Sequence, residues 1–242
     1  MRTLGSLWAW LIVLLVIVLG FFVQLLLWIV SRPFDPLRKL SGRFFRLMAV
    51  ISSRLNPFWN FAIVGDPAPP TRPTVVVSNH QSNADVFLIS YLPWEMKWMG
   101  KASLFRVPFL GWSMSLAGDI PVDRGAKGAA ASALLKCGQW VRQGMPVMMF
   151  PEGTRSLEGV MLPFKDGAFR LAIDSGAELL PLGVSGTHEA LPKRSWRFGR
   201  SRGRVVVGAP IPSAGKSVEQ LKAEARAAIE RLAAAAEVAA RL

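Results

Sequence analysis

The stretch that most restricts this chain runs from Leu7 to Val30, 24 residues without a charge and broken only by Gly20 and Gln24. As a helix it measures about 36 Å, enough to cross a hydrocarbon core of roughly 30 Å with some tilt. It is too long for the core of a signal peptide, and no small-residue cleavage site follows, so it is expected to be retained. Trp8, Trp10 and Trp28 lie near its ends, where interfacial aromatics belong. Only Arg2 stands upstream, whereas Arg32, Arg38, Lys39, Arg43 and Arg46 stand downstream. If the segment spans, this asymmetry places the rest of the chain on the cytoplasmic side of the cell membrane. The alternative is a hairpin or tilted helix embedded in one leaflet.

Pro33 and Pro36 end that helix. Residues 37–55 then carry Leu37, Leu40, Phe44, Leu47, Met48, Ile51 and Leu55 at three- and four-residue steps, with Arg38, Lys39, Arg43, Arg46 and Arg54 between them. This spacing predicts a basic amphipathic helix suited to the headgroup region, or one whose apolar face packs on the rest of the protein. Residues 1–57 are therefore expected to form membrane-anchoring helices and residues 58–242 a globular domain. Composition agrees with a membrane partner: 51% of residues are hydrophobic while the net charge is +13. Nucleic acid, the usual alternative for so basic a chain, would not require the apolar segment, and no aromatic stacking platform is visible. The single cysteine, Cys137, excludes a disulfide framework and a cysteine metal site, and reads as a buried helix position. No cluster dense enough to ligate a metal is seen, so none is expected.

From Thr74 onward short apolar runs alternate with longer helical patterns. The strand candidates are 74–77, 97–99, 119–122, 146–150, 179–184 and 204–207; the helix candidates are 85–92, 103–117, 127–143, 167–175 and 217–240. Alternation of this kind predicts an α/β layered domain, with a mostly parallel or mixed central sheet flanked by helices and functional groups gathered where strands end.

The first such strand end is the richest. Val75-Val76-Val77 runs into Ser78-Asn79-His80-Gln81-Ser82-Asn83-Ala84-Asp85, and His80 is one of only two histidines, with His188. Imidazole titrates nearest neutrality, so it can accept a proton and return it within one turnover. Five residues along a continuous helix would put His80 and Asp85 on different faces. The chain must therefore turn through Gln81-Ser82 and start a helix near Asn83, a good N-cap residue, with Asp85 in its first turn as orienter of the imidazole. The plainer reading is a polar residue at a strand end followed by an ordinary helix-start acid. Two more polar strand ends come later in the chain. Gly118 to Gly125 carries Arg124, whose fork suits a phosphate, though an exposed loop arginine reads the same way. Phe150-Pro151-Glu152-Gly153-Thr154-Arg155 puts an acid, a hydroxyl and a guanidinium around a glycine that lets backbone approach a ligand; a turn with a local ion pair is the alternative.

The ordered set of N-H-x-x-x-x-D at 79–85, G-x-x-x-x-x-R at 118–124, F-P-E-G-T-R at 150–155 and a Pro-bearing strand near 181 resembles the glycerolipid acyltransferase family, nearest to the 1-acylglycerol-3-phosphate acyltransferases. The resemblance covers roughly residues 74–186. It implies that His80 is the catalytic base and Asp85 its orienter, and that Arg124, Glu152, Gly153, Thr154 and Arg155 form the glycerol-phosphate pocket. Lys101 and Lys165 stand where similar enzymes often carry basic residues, while Asp166 departs from a position that is commonly basic or neutral. It further implies transfer of a fatty acyl group from acyl-CoA or an acidic acyl carrier protein to a lysolipid hydroxyl. No cofactor beyond that thioester and no covalent acyl-enzyme are expected. The cationic run from Lys193 to Arg204, with Trp196 and Phe198 interleaved, suits anionic headgroups or an acidic carrier, or is a soluble basic loop. Acylation of glycerol-3-phosphate or of another lysolipid, and a non-catalytic lipid-binding protein, are the competing readings.

Overall fold

The computed structural model describes residues 2–123, 125, 128–156 and 160–241. Seven strands form one sheet: β1 (Trp59–Val64), β2 (Thr74–Ser78), β3 (Lys97–Lys101), β4 (Ile120–Val122), β5 (Val147–Met149), β6 (Glu178–Ser185) and β7 (Ser201–Val207). Their order is β1-β7-β6-β2-β5-β3-β4, with every pair parallel except β6 and β7. The expected layered α/β domain is therefore present. β2 has every residue buried because parallel strands inside a sheet are covered on both faces. The pleat divides the core. Val75, Val77, Val147, Met149 and Leu179 meet α5 (Ala129–Arg142), α6 (Gly167–Asp174) and α7 (Val218–Arg241). Val76, Met148, Leu180 and Leu182 meet α3 (Ala84–Ile89), Trp59 and Phe198. Gly183 is required here, since a Cβ would sit 2.3 Å from the backbone of α7 at Leu232 and Ala233. Because β7 reverses direction and β1 runs parallel to it, the start of β1 lies at the same end of the sheet as the C-termini of β2, β5 and β6.

Two expectations are corrected. β1 precedes the first anticipated strand, with Trp59 and Phe61 buried and Asn60 exposed between them. The helix expected over 103–117 is broken: Ala102–Arg106 form a 3-10 turn and α4 spans only Leu110–Ala117. Pro108 disfavours helical backbone at Val107, which is extended, and Phe109 enters the left half of backbone space at φ 60°.

At the N-terminus, α1 (Arg2–Ser31) is long and apolar enough to cross a membrane. One of its faces lies along the domain from end to end. Ser6 accepts a hydrogen bond from the Phe198 amide at 3.0 Å, Trp10 Nε1 donates to Trp196 O at 2.8 Å, and Gly20 lies under Met48. Gln24 Nε2 donates to Ser41 O at 3.2 Å and Ser113 O at 3.0 Å. α2 (Lys39–Arg54) turns inward Ser41, Gly42, Phe45, Arg46 and Met48, while Leu40, Leu47 and Ile51 of the predicted stripe point outward.

The inward-facing Arg46 enters a buried ionic cluster at the N-terminal ends of β3 and β4. Its guanidinium pairs with Asp119 and lies 3.8 Å from Glu95; Lys97 Nζ donates to Glu95 at 3.3 Å and to Arg38 O at 3.1 Å. Burial pushes the Glu95 carboxyl up from its ordinary 4.5 to about 6 and pushes Lys97 down. Arg46 Nε, Glu95 Oε2 and Asp119 Oδ2 are buried without hydrogen-bond partners among the described residues.

Candidate active site

The apolar run of β2 ends at Ser78, and the next residue is clamped. Asn79 Nδ2 donates to Val184 O and the Val184 amide donates to Asn79 Oδ1, both at 2.8 Å, so the turn after β2 is tied to β6. That fixes the backbone from which His80 projects. Its ring stacks on Phe150, at 3.8 Å between centroids and 14° between planes, and only an edge of the imidazole reaches solvent.

His80 Nδ1 lies 2.8 Å from Asp85 Oδ2. The same oxygen accepts from the amides of Gln81 at 2.7 Å and Ser82 at 2.9 Å, and Asp85 Oδ1 takes the Thr187 hydroxyl. Asp85 has no exposed surface. An acceptor-only carboxylate at Nδ1 places the ring proton there and leaves Nε2 as the basic nitrogen. The turn is thus folded by Asp85 reaching backward, and the expected Asn83 cap is not made: Asn83 has helical backbone and no capping hydrogen bond from its side chain. Ser82 Oγ, at 3.2 Å from the Ala84 amide, takes that place.

Glu152 is also buried, and its oxygens face the protein rather than an opening. Oε1 accepts the His80 amide at 2.7 Å and Oε2 the Leu162 amide at 2.9 Å. The Ser156 amide donates to His80 O at 3.1 Å, so the turn after β5 and the turn after β2 hold each other. Burial raises the Glu152 carboxyl against the lowering effect of those two amides. Gly153 adopts φ 70°, and a Cβ there would come within 3.0 Å of Lys165, whose chain crosses directly over it. Thr154 is exposed and Arg155 half-buried; Arg155 O accepts from Lys193 Nζ at 3.2 Å. Lys101 is exposed at the end of β3, two strands from β2. Arg124 lies outside the described residues. Asp166 pairs with Lys222 at 2.8 Å and with Arg170 at 3.6 Å.

The structure thus brings His80, Asp85 and Glu152 together, with Gly153 and Lys165 alongside. Sequence reasoning missed Thr187. Its signal was Gly186, which stands at φ 79° with Arg202 O where a Cβ would fall, so a Gly-Thr pair is forced onto the end of β6 facing the histidine turn. Cys137 lies in the core of α5 with its thiol pushed up to about 12 by burial, which makes it no nucleophile. A cleft of about 550 Å3, lined by Arg38, Pro121, Lys136 and Trp140, lies on the outer side of β4, away from His80.

An imidazole oriented by a buried carboxylate at the C-terminal ends of parallel strands is an arrangement suited to acid–base chemistry in an α/β fold. Residues 60–185 match the Acyltransferase family, and the chain belongs to that family. It is 34% identical over 199 residues to a 1-acyl-sn-glycerol-3-phosphate acyltransferase of Chlamydomonas reinhardtii, covering 81% of this chain and 59% of that protein. It is 36% identical over 157 residues to 1-acyl-sn-glycerol-3-phosphate acyltransferase alpha of Homo sapiens, covering 64% and 56%. The chain spans about three fifths of the length of such relatives. The crystal structure of the 1-acyl-sn-glycerophosphate (LPA) acyltransferase PlsC from Thermotoga maritima superposes with a TM-score of 0.83 at 25% identity, covering 98% of this chain and 97% of that one.

Proposed function

We propose that this protein transfers a fatty acyl group from an acyl thioester to the free sn-2 hydroxyl of 1-acylglycerol-3-phosphate, giving phosphatidic acid in phospholipid synthesis. The observation that carries the reading is the 2.8 Å contact between His80 Nδ1 and the buried Asp85 carboxylate. It leaves Nε2 to remove the acceptor's proton as its oxygen attacks the thioester carbonyl. Asp85 stabilises the imidazolium that forms, the C–O bond closes, and the C–S bond breaks. The proton then passes from His80 to the leaving thiolate. Glu152 contributes by fixing the backbone of His80. Lys165, Arg155, Thr154, Lys101 and Arg124 are the proposed contacts for the acceptor's phosphate and glycerol. No cofactor other than the thioester is needed. The relatives' names, 1-acyl-sn-glycerol-3-phosphate acyltransferases, favour this acceptor over glycerol-3-phosphate, and the donor carrier is acyl-CoA or an acyl carrier protein.

The membrane placement has its own support. A helix crossing the bilayer upright would drag into hydrocarbon the polar loop at Trp196 and the polar groups Ser41 and Ser113, which hold opposite ends of α1. α1 therefore lies in one leaflet, with Leu11, Leu14, Leu19 and Leu26 toward the acyl chains and the outward stripe of α2 beside them. The decisive experiment measures thiol release by the purified protein in vesicles containing, in turn, 1-acylglycerol-3-phosphate, other lysolipids and glycerol-3-phosphate. Turnover with the first and its loss in His80→Ala is expected. Turnover confined to another acceptor would replace the substrate assignment, and release by His80→Ala would overturn the mechanism.

A further inference from the structure

A second apolar surface belongs to the catalytic domain itself. The 3-10 turn Ala102–Arg106 and the start of α4 form a corner exposing Leu104, Val107 and Trp112, large apolar side chains that a water-facing corner would not present together. The corner is rigidly built. Gly111 is packed so closely on the Phe105 backbone that a Cβ would fall 2.2 Å from its carbonyl oxygen, and Phe109 holds the strained φ of 60°. That strain places the Phe109 ring 5.6 Å from Phe21 and 6.1 Å from Phe22 of α1, and 5.0 Å from Trp112. Phe22 and Trp112 are both exposed, so the outward face of α1 continues without a break onto the corner. Lys101 and Arg106, also exposed, flank it with ammonium and guanidinium groups suited to lipid phosphates.

We propose that residues 102–112 are a second membrane-insertion element, which seats the C-terminal end of the sheet against the headgroup layer. The proposal rests on the reading of α1 as a one-leaflet anchor. What it adds is orientation: β3 leads straight into this corner and lies two strand spacings, roughly 10 Å, from the β2 that carries His80. The outward faces of α1 and α2 lie side by side, so on their own they leave the domain free to rock about that helix pair. A second contact beside the site removes that freedom and keeps the imidazole facing the lipid surface.

The test uses the full chain, in which buried Cys137 is a silent thiol. Leu104→Cys and Val107→Cys are labelled with an environment-sensitive fluorophore and bound to vesicles of phosphatidylcholine and phosphatidylglycerol. Leu11→Cys on α1 reports the anchor, and Leu135→Cys on exposed α5 reports solvent. Positions 104 and 107 are expected to be quenched by nitroxide-bearing lipids as position 11 is, and shielded from aqueous iodide. If they behave like position 135 while position 11 is quenched, the corner proposal falls and the anchor stands; if position 11 is also unquenched, both fall. In a second measurement, Leu104→Lys with Val107→Lys should lower turnover of vesicle-embedded acceptor about tenfold while sparing a short-chain acceptor in detergent solution. Equal activity on both acceptors would overturn the proposal.

Discussion

Two buried polar clusters sit at opposite ends of the same sheet, and they are built differently. Around His80, the described hydrogen bonds take both oxygens of Asp85 and both of Glu152. Around Arg46, the four charges of Arg46, Glu95, Lys97 and Asp119 cancel, yet Arg46 Nε, Glu95 Oε2 and Asp119 Oδ2 go unmatched. Fully satisfied donors and acceptors fix one geometry, whereas a cluster of balanced charges with unmet atoms fixes mainly which elements stay together. The first arrangement suits chemistry that fails when a nitrogen moves. The second suits a joint between α2 and the edge of the sheet.

That contrast predicts separable losses. His80→Ala should lower kcat by about 10²–10⁴ with the melting temperature unchanged, measured by thiol release and by thermal unfolding in detergent. A matching fall in melting temperature would make the histidine structural. Arg46→Met should do the reverse, costing about 3–5 kcal/mol of stability because buried Asp119 loses its ion-pair partner and Glu95 one of its two, while activity per folded molecule stays near wild type. Unchanged unfolding there would erase the distinction between the clusters. Thr187→Val should lower kcat roughly ten- to a hundredfold, the worth of one hydrogen bond to a charged group, at constant KM, with Thr187→Ser restoring it. Failure of serine to rescue would show that Thr187 acts by packing alone.

The smallest effect concerns Glu95. Its folded pKa of about 6 lies above the ordinary 4.5, so the folded state holds the proton more tightly than the unfolded state. The resulting stability is present below pH 4.5 and lost as pH rises through 6, by on the order of 2 kcal/mol at 1.36 kcal/mol per pH unit. Glu95→Gln should flatten that limb of the unfolding profile. A wild-type profile already flat between these pH values would contradict the burial of the carboxyl.

The two clusters also differ in how far the sequence discloses them. His80 and Asp85 lie within one turn of chain, and Glu152 comes directly after an apolar run, so their types and spacing carry chemical sense before any fold is known. Positions 46, 95, 97 and 119 belong to separate elements, and no local pattern marks Arg46 as the basic residue of α2 that turns inward. The inward side of α2 was hidden for the same reason: Ser41, Gly42, Ser52 and Ser53 pack closely there, and small residues weigh little in a periodicity of apolar ones. β1 was legible in principle from Trp59, Phe61 and Ile63 between Pro57 and Gly65, but six residues give a weak alternation. Pro108 and Gly111 announced the break in the helix expected over 103–117, and there the apolar spacing outweighed them. Thr187 depends on β6 and β2 being neighbours, which only topology supplies.

Both rims of the sheet are guarded. Pro121, solvent-facing in the three-residue outer strand β4, offers no amide, and on the opposite rim Arg204 occupies Asn60 O at 2.9 Å. A protein held in a film of lipid, as proposed for this one, meets its copies far more often than one free in solution, and an open rim would invite them to polymerise strand against strand. Interrupting both rims lets the molecules crowd and still part.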